Sequence, residues 1–151
     1  MLVVFVGLAV LLGAAGGVIT AAEIRGWYLT LNRPPGTPPN WVFGPVWAIL
    51  YVMMGVAAWL VWRCRSMDAR GALRLWGWQL MINALWSPAF FGLHSTGLAL
   101  AVILVLLAVL GLTLRAFLRI QSLAGALLVP YLAWVCYATY LNAGFWWLNR
   151  V

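Results

Sequence analysis

The chain has 151 residues, of which 66% are hydrophobic and only 7% charged, with a mean hydropathy of +1.02. No soluble domain of this size can hide that much apolar surface, so lipid is the solvent and the backbone must satisfy its own polar groups inside helices. The net charge of +7 comes from nine arginines, with no lysine, against Glu23 and Asp68. These arginines punctuate apolar runs instead of forming a soluble basic face. They read as topology determinants and headgroup contacts, and nucleic acid is excluded as a partner.

Five apolar runs predict an all-α membrane protein, a five-transmembrane-helix bundle that forms one domain over residues 1–151. The predicted helices cover about 2–22, 41–62, 75–93, 98–118 and 126–148. At about 1.5 Å rise per residue each is long enough to cross a hydrocarbon core of about 30 Å. The first run is apolar but lacks a positively charged n-region, so it reads as a retained helix and not a secretory signal. Gly13 and Gly17 give it a G-x-x-x-G spacing that permits close helix contact.

The longest connection, 23–40, contains Arg33-Pro34-Pro35-Gly36-Thr37-Pro38-Pro39. Four prolines preset φ and remove donors, which predicts a stiff, non-helical lid. The remaining connections, 63–74, 94–97 and 119–125, are short, and Pro45, Pro88 and Pro130 are expected near helix ends. Arg63, Arg65, Arg70, Arg74, Arg115 and Arg119 share one side with the N-terminus, against Arg25, Arg33 and Arg150 on the other. That asymmetry predicts the N-terminus inside, the proline-rich loop outside and the termini on opposite sides.

Catalytic chemistry is thinly represented. There is no Ser/His/Asp set, metal cluster or phosphate-binding glycine loop, and Glu23 and Asp68 fall on opposite sides of the predicted bundle. Cys64 at a membrane edge and Cys136 inside a span read as small apolar-like fillers, and His94 as a solvated loop residue with no second ligand nearby. No metal site and no cofactor are expected. No ionisable residue occupies the middle of a span, which argues against a proton-driven pump.

What the interior does carry is eleven tryptophans in the chain as a whole and polar-aromatic stripes at helical spacing. Gln79, Asn83, Trp86 and Phe90 share one face of the third helix, and Trp47, Tyr51 and Met54 one face of the second. Trp134, Tyr137, Ala138, Leu141 and Asn142 share a face of the fifth. Two readings stay open on the residues alone. Either the stripes only pack, with Asn83 and Asn142 as interhelical glue, or they wall a pocket for a flat conjugated ligand.

Trp27-Tyr28-Leu29-Thr30-Leu31-Asn32-Arg33-Pro34, continued by Thr37-Pro38-Pro39-Asn40-Trp41-Val42-Phe43-Gly44-Pro45-Val46-Trp47-Ala48-Ile49-Leu50-Tyr51, closely resembles the signature of the translocator protein family. That family is also called the peripheral benzodiazepine receptor or tryptophan-rich sensory protein family. Asn83-Ala84-Leu85-Trp86-Ser87-Pro88-Ala89-Phe90-Phe91-Gly92 resembles it too, as do Pro130-Tyr131-Leu132-Ala133-Trp134 and Ala138-Thr139-Tyr140-Leu141-Asn142.

The resemblance implies an integral, multi-pass protein of a bacterial cell membrane, a homodimer and a pocket under the first loop; it favours the third helix as the dimer seam, with the first helix and its Gly13/Gly17 pair as the rival. The implied ligand is a porphyrin of the protoporphyrin IX type, bound for tetrapyrrole handling, transport or a stress response. Synthetic benzodiazepine-type ligands are implied as well. Carried over by motif, Trp47 and Trp134 match pocket tryptophans linked to light-dependent porphyrin breakdown. Tyr28, Tyr51, Asn83, Trp86, Phe90 and Ala138 match other pocket positions.

Gly36 stands where many members carry tryptophan, which predicts a looser lid. Leu141, Phe145 and Arg150 imitate the cholesterol-recognition pattern with Phe in its tyrosine slot, so physiological sterol binding is not expected. The resemblance thus implies a porphyrin-binding receptor or transporter, with a light-dependent porphyrin-degrading enzyme and a structural membrane subunit as alternatives.

Overall fold

The computed structural model describes residues 1–150. It contains five long helices: α1 (Leu2–Glu23), α2 (Asn40–Arg63), α3 (Met67–Ser87), α4 (Thr96–Ile120) and α5 (Ser122–Asn149). Among the described residues there is no strand. Packing neighbours run α1–α2–α5–α4–α3 and back to α1, so the helices close a ring. α1, α2, α4 and α5 are long and apolar enough to cross a membrane. α3 is less apolar because Asp68, Arg70 and Arg74 occupy its first two turns and because Gln79 and Asn83, both buried inside the bundle, interrupt the rest.

Between helices in lipid there is little hydrophobic drive, so close van der Waals packing and interhelical hydrogen bonds hold the ring. α4 supplies Ala99, Ile103, Leu106, Leu110, Thr113 and Phe117 as one fully or nearly fully buried stripe. α5 answers with Ala124, Leu128, Tyr131 and Val135. Gly55 of α2 lies against the backbone of α1, where an added Cβ would stand 2.8 Å from Val6 N. Gly13 accommodates the Tyr51 ring in the same way. The glycine of the G-x-x-x-G spacing is therefore used within the chain, to seat α1 on α2.

The third helix begins eight residues earlier than the apolar run suggested. Ser66 caps it by accepting from Ala69 N–H at 3.1 Å, and Asp68 sits in its first turn. Arg70 and Arg74 thus belong to a helix and not to a loop, their polarity having masked its first two turns. The 119–125 connection shrinks to Gln121 alone, since Gly125 leaves room for Leu118 at the α4–α5 corner.

The earlier start of α5 puts Pro130 well inside it, not at its end, while Pro45 lies in the second turn of α2. After Ser87 the chain makes one wider turn, Pro88–Gly92, closed by Leu93 N–H on Pro88 O at 2.8 Å. Glu23 and His94 touch at the end of the ring opposite Asp68, as the order of the five helices places them.

The 24–39 loop lies across that end. Its proline-rich part is non-helical, but Trp27–Thr30 ahead of it coils into a short 3-10 turn. The loop is latched to α5. Tyr137 OH donates to Gly36 O, and Tyr140 OH donates to Pro35 O at 3.0 Å. Asn149 brackets the Asn32 backbone, accepting from its N–H at 2.8 Å and donating to its carbonyl at 3.0 Å.

Gly36 has φ +82°, a conformation a bulky residue adopts only with strain. The lid therefore closes through backbone carbonyls offered to α5, without an aromatic at position 36. His94 is an exposed loop residue, as expected, but it is not isolated. Its Nε2 lies 3.1 Å from Glu23 Oε2 and its ring stacks on Trp27 at 4.5 Å between centroids, which ties the α3–α4 turn to the base of the lid.

Candidate functional site

The ring leaves a cavity of about 740 Å³ between its apolar packing and the lid. Helical spacing decides who lines it. Asn40, Phe43, Trp47 and Tyr51 descend one face of α2, while Trp134, Ala138, Leu141, Asn142 and Phe145 follow one face of α5. α3 and the wider turn after it add Asn83, Trp86, Ser87, Phe90 and Phe91. From the lid comes Tyr28, and from α1 a wall of small residues that includes Gly13, Ala14, Gly17 and Ala21.

All eight residues singled out from the sequence as ligand-binding thus border one space: Tyr28, Trp47, Tyr51, Asn83, Trp86, Phe90, Trp134 and Ala138. Of the sterol-type pattern, Leu141 and Phe145 are buried and face the same cavity. Arg150 lies outside it, with its guanidinium 3.4 Å from the Trp147 ring centroid. Two of the three side chains are thus withdrawn from lipid.

The aromatic walls are themselves braced. Trp47 stacks on Tyr51 at 5.5 Å and meets Tyr131 edge-on at 6.2 Å. Trp86 stacks on Phe90 at 5.2 Å, and Phe43 stands edge-on to Trp134 at 6.1 Å. Such contacts add about 0.5–1.5 kcal/mol per pair beyond area burial and hold the rings in fixed planes.

A hydrogen-bond chain crosses the floor. Tyr51 OH donates to Asn83 Oδ1 at 2.8 Å, Asn83 Nδ2 donates to Tyr131 OH at 2.6 Å, and Tyr131 OH donates to Gln79 Oε1 at 2.9 Å. Trp86 Nε1 donates to Asn142 Oδ1 at 2.9 Å, while Asn142 Nδ2 reaches Thr96 O at 2.8 Å. Asn83 and Asn142 therefore do join helices. Asn83 makes two bonds here, leaving one amide hydrogen and one lone pair for another partner.

Tyr28 differs from the floor tyrosines. Burial pushes its phenol above the ordinary range, and the Arg33 guanidinium, 5.1 Å over its ring, pulls the other way. The phenol, neutral at physiological pH in any case, is held further from ionisation by that net rise. Two further atoms stand out: Asn40 Oδ1 and Trp134 Nε1 are buried and unpaired among the described residues. Asn40 escaped the sequence reading because it lies one residue before the predicted helix and two turns before Trp47, where the predicted α2 stripe begins. The i, i+3, i+7 spacing of Asn40, Phe43 and Trp47 carries that signal.

α1 and α2 touch closely at Gly55 and Val6. Nearer the lid, their cavity-lining Ala14, Gly17, Ala21, Gly44 and Ala48 are exposed, so the cavity opens sideways between these helices. Among the described residues no three His, Cys, Asp or Glu side chains gather as a metal site. Cys64 and Cys136 are both free and exposed.

The profile of the TspO/MBR family matches residues 5–148. A tryptophan-rich protein TspO of Chlorobaculum tepidum is 40% identical over 141 residues, covering 91% of this chain and 88% of the relative. The translocator protein of Bos taurus is 36% identical over 148 residues, covering 93% and 88%. A tryptophan-rich sensory protein of Cereibacter sphaeroides is 42% identical over 117 residues, covering 77% and 72%.

Proposed function

The chain belongs to the TspO/MBR family and is an integral, multi-pass membrane protein, and on that premise we propose that its cavity binds porphyrins of the protoporphyrin IX type. In this role it serves as a receptor or transporter in tetrapyrrole handling or stress response. The gathering of all eight motif-matched residues around one aromatic space of about 740 Å³ carries this reading. That volume lies within the roughly 300–1,000 Å³ of small-molecule sites.

Trp47 and Trp134 act as walls against the macrocycle, Tyr28 and the remaining Asn83 valences as polar anchors, and Ala138 as the small residue that leaves room. The sideways opening suits a ligand dissolved in the bilayer. The membrane is that of a bacterial cell, a reading the bacterial relatives support and fractionation checks. The functional unit is a homodimer through α3, whose exposed Trp78, Met81 and Leu85 fall on one face. A native mass spectrum in mild detergent showing only monomer would remove it.

The test of binding is a porphyrin titration followed by tryptophan quenching in the dark, on wild type, Trp47→Phe and Trp134→Phe. Saturable quenching in wild type, weakened by about 1 kcal/mol in each variant, is expected from the loss of indole stacking. Absence of saturable quenching in wild type returns the aromatics to plain packing. Porphyrin absorbance lost only under illumination, and abolished by the same variants, would favour the degrading enzyme instead.

A further inference from the structure

Arg25, Arg33 and Arg150 stand on the lid side of the bundle, and two of them are engaged. The Arg33 guanidinium lies 5.1 Å over the Tyr28 ring, and that of Arg150 lies 3.4 Å over the Trp147 ring. Arg25 has neither an aromatic nor an acidic partner among the described residues, where the one ion pair joins Glu23 to His94. It is also the one residue of charged type that borders the cavity. An exposed cation without a partner thus stands beside an aromatic chamber.

The place of Arg25 follows from α1. Gly13, Gly17 and Ala21 line the cavity at four-residue steps, which puts them on one face of the helix. Arg25 is the next step of that series, and the backbone stays helical through Ile24, at φ −65° and ψ −21°. Gly17 and Ala21 also belong to the sideways opening between α1 and α2, so Arg25 falls at its lid-end corner. Trp41, 75% exposed in the first turn of α2, borders the same end and has the chemistry of a headgroup-level anchor. Farther in, the lining offers only rings, alkyl groups and neutral amides or hydroxyls. A carboxylate carried there would leave water with no opposite charge to meet it.

We propose that Arg25 is a specificity residue that receives the acidic edge of the planar ligand at the sideways mouth of the cavity. The forked N–H groups of its guanidinium donate to the carboxylate oxygens. The ring enters from lipid between α1 and α2 while its acid groups stay at headgroup level, so no charge crosses hydrocarbon.

This assignment rests on the porphyrin reading and adds its polar contact. The probes are protoporphyrin IX and its dimethyl ester, which share one macrocycle and differ only in the acids. Both are titrated in the dark at a pH of about 7.5, where free carboxylic acids are ionised. Tryptophan quenching in a non-ionic detergent follows wild type, Arg25→Lys, Arg25→Gln, Arg25→Glu and Arg150→Gln, with helicity checked by circular dichroism. The readout is the ratio of ester to diacid dissociation constants, compared between proteins at one detergent concentration, so unequal partition of the probes into micelles cancels.

Arg25→Gln is expected to lower that ratio about fivefold, as for a well-made charge pair at a partly wet site, with affinity for the ester unchanged. Arg25→Lys keeps most of the wild-type ratio because the charge remains, and Arg25→Glu lowers it beyond Arg25→Gln. This graded series decides the matter even should one variant fold poorly. Arg150→Gln, outside the cavity, leaves the ratio at the wild-type value. A wild-type ratio in the folded Arg25 variants, or an equal fall in Arg150→Gln, overturns the assignment while leaving porphyrin binding intact. If neither probe quenches wild type saturably, the porphyrin reading and the role of Arg25 fall together.

Discussion

Replacing Asn83 by leucine tests the load carried by the chain Tyr51–Asn83–Tyr131–Gln79. Leucine keeps the branched outline of asparagine and opens no cavity, so loss of the polar contacts dominates the change. The buried Tyr51 hydroxyl loses the acceptor it holds at 2.8 Å. An orphaned buried donor costs about 1–3 kcal/mol. The 2.6 Å bond from Asn83 to Tyr131 also disappears, but Tyr131 keeps its bond to Gln79 at 2.9 Å. That second loss is about 0.6 kcal/mol, the average for interhelical hydrogen bonds in a membrane protein.

The sum is about 2.6 kcal/mol, or a fall of about 5–10 °C in Tm for a chain of this length. Thermal unfolding in mild detergent, followed by circular dichroism at fixed protein and detergent concentration, measures it. The double variant Tyr51→Phe with Asn83→Leu removes the orphaned hydroxyl and is expected to recover about 1 kcal/mol of that loss. If Asn83→Leu melts with the wild type, or the double variant is less stable than the single one, the chain does not hold α2, α3 and α5 together as argued.

Four further outcomes are expected. Gly55→Val places a Cβ against the Val6 backbone and pries α1 from α2, which loss of a disulfide engineered between these two helices would report. Gly144→Val collides with Pro34 under the lid, where an added Cβ would already lie 2.9 Å from Pro34 Cγ, and faster porphyrin dissociation in stopped flow is its signature. Ala138→Phe fills the cavity and abolishes porphyrin quenching while helicity is retained; unchanged affinity in the folded variant would place the ligand elsewhere. A membrane-impermeant maleimide labels the exposed Cys64 from the side of the N-terminus only, and labelling from the lid side would reverse the topology.

Much of this protein was legible in the sequence because periodicity is local information. Lipid demands long apolar helices, and a 3.6-residue repeat puts Trp47 with Tyr51, Asn83 with Trp86, and Trp134 with Ala138 on common faces whatever surrounds them. Hydropathy failed where a helix leaves the bilayer. Met67–Arg74 is helical because Ser66 caps it, and its arginines looked like loop only to a reading that sought apolar residues.

Which faces meet was undetermined until the ring closed, since partners such as Asn83 and Tyr131, 48 positions apart, are brought together by packing alone. The same holds for the latch of Tyr137, Tyr140 and Asn149 on the lid, and for His94 against Glu23 and Trp27. The unpaired state of Asn40 and Trp134 belongs to the tertiary structure most of all. A side chain's lack of a partner depends on every neighbour around it, and no stretch of sequence contains them.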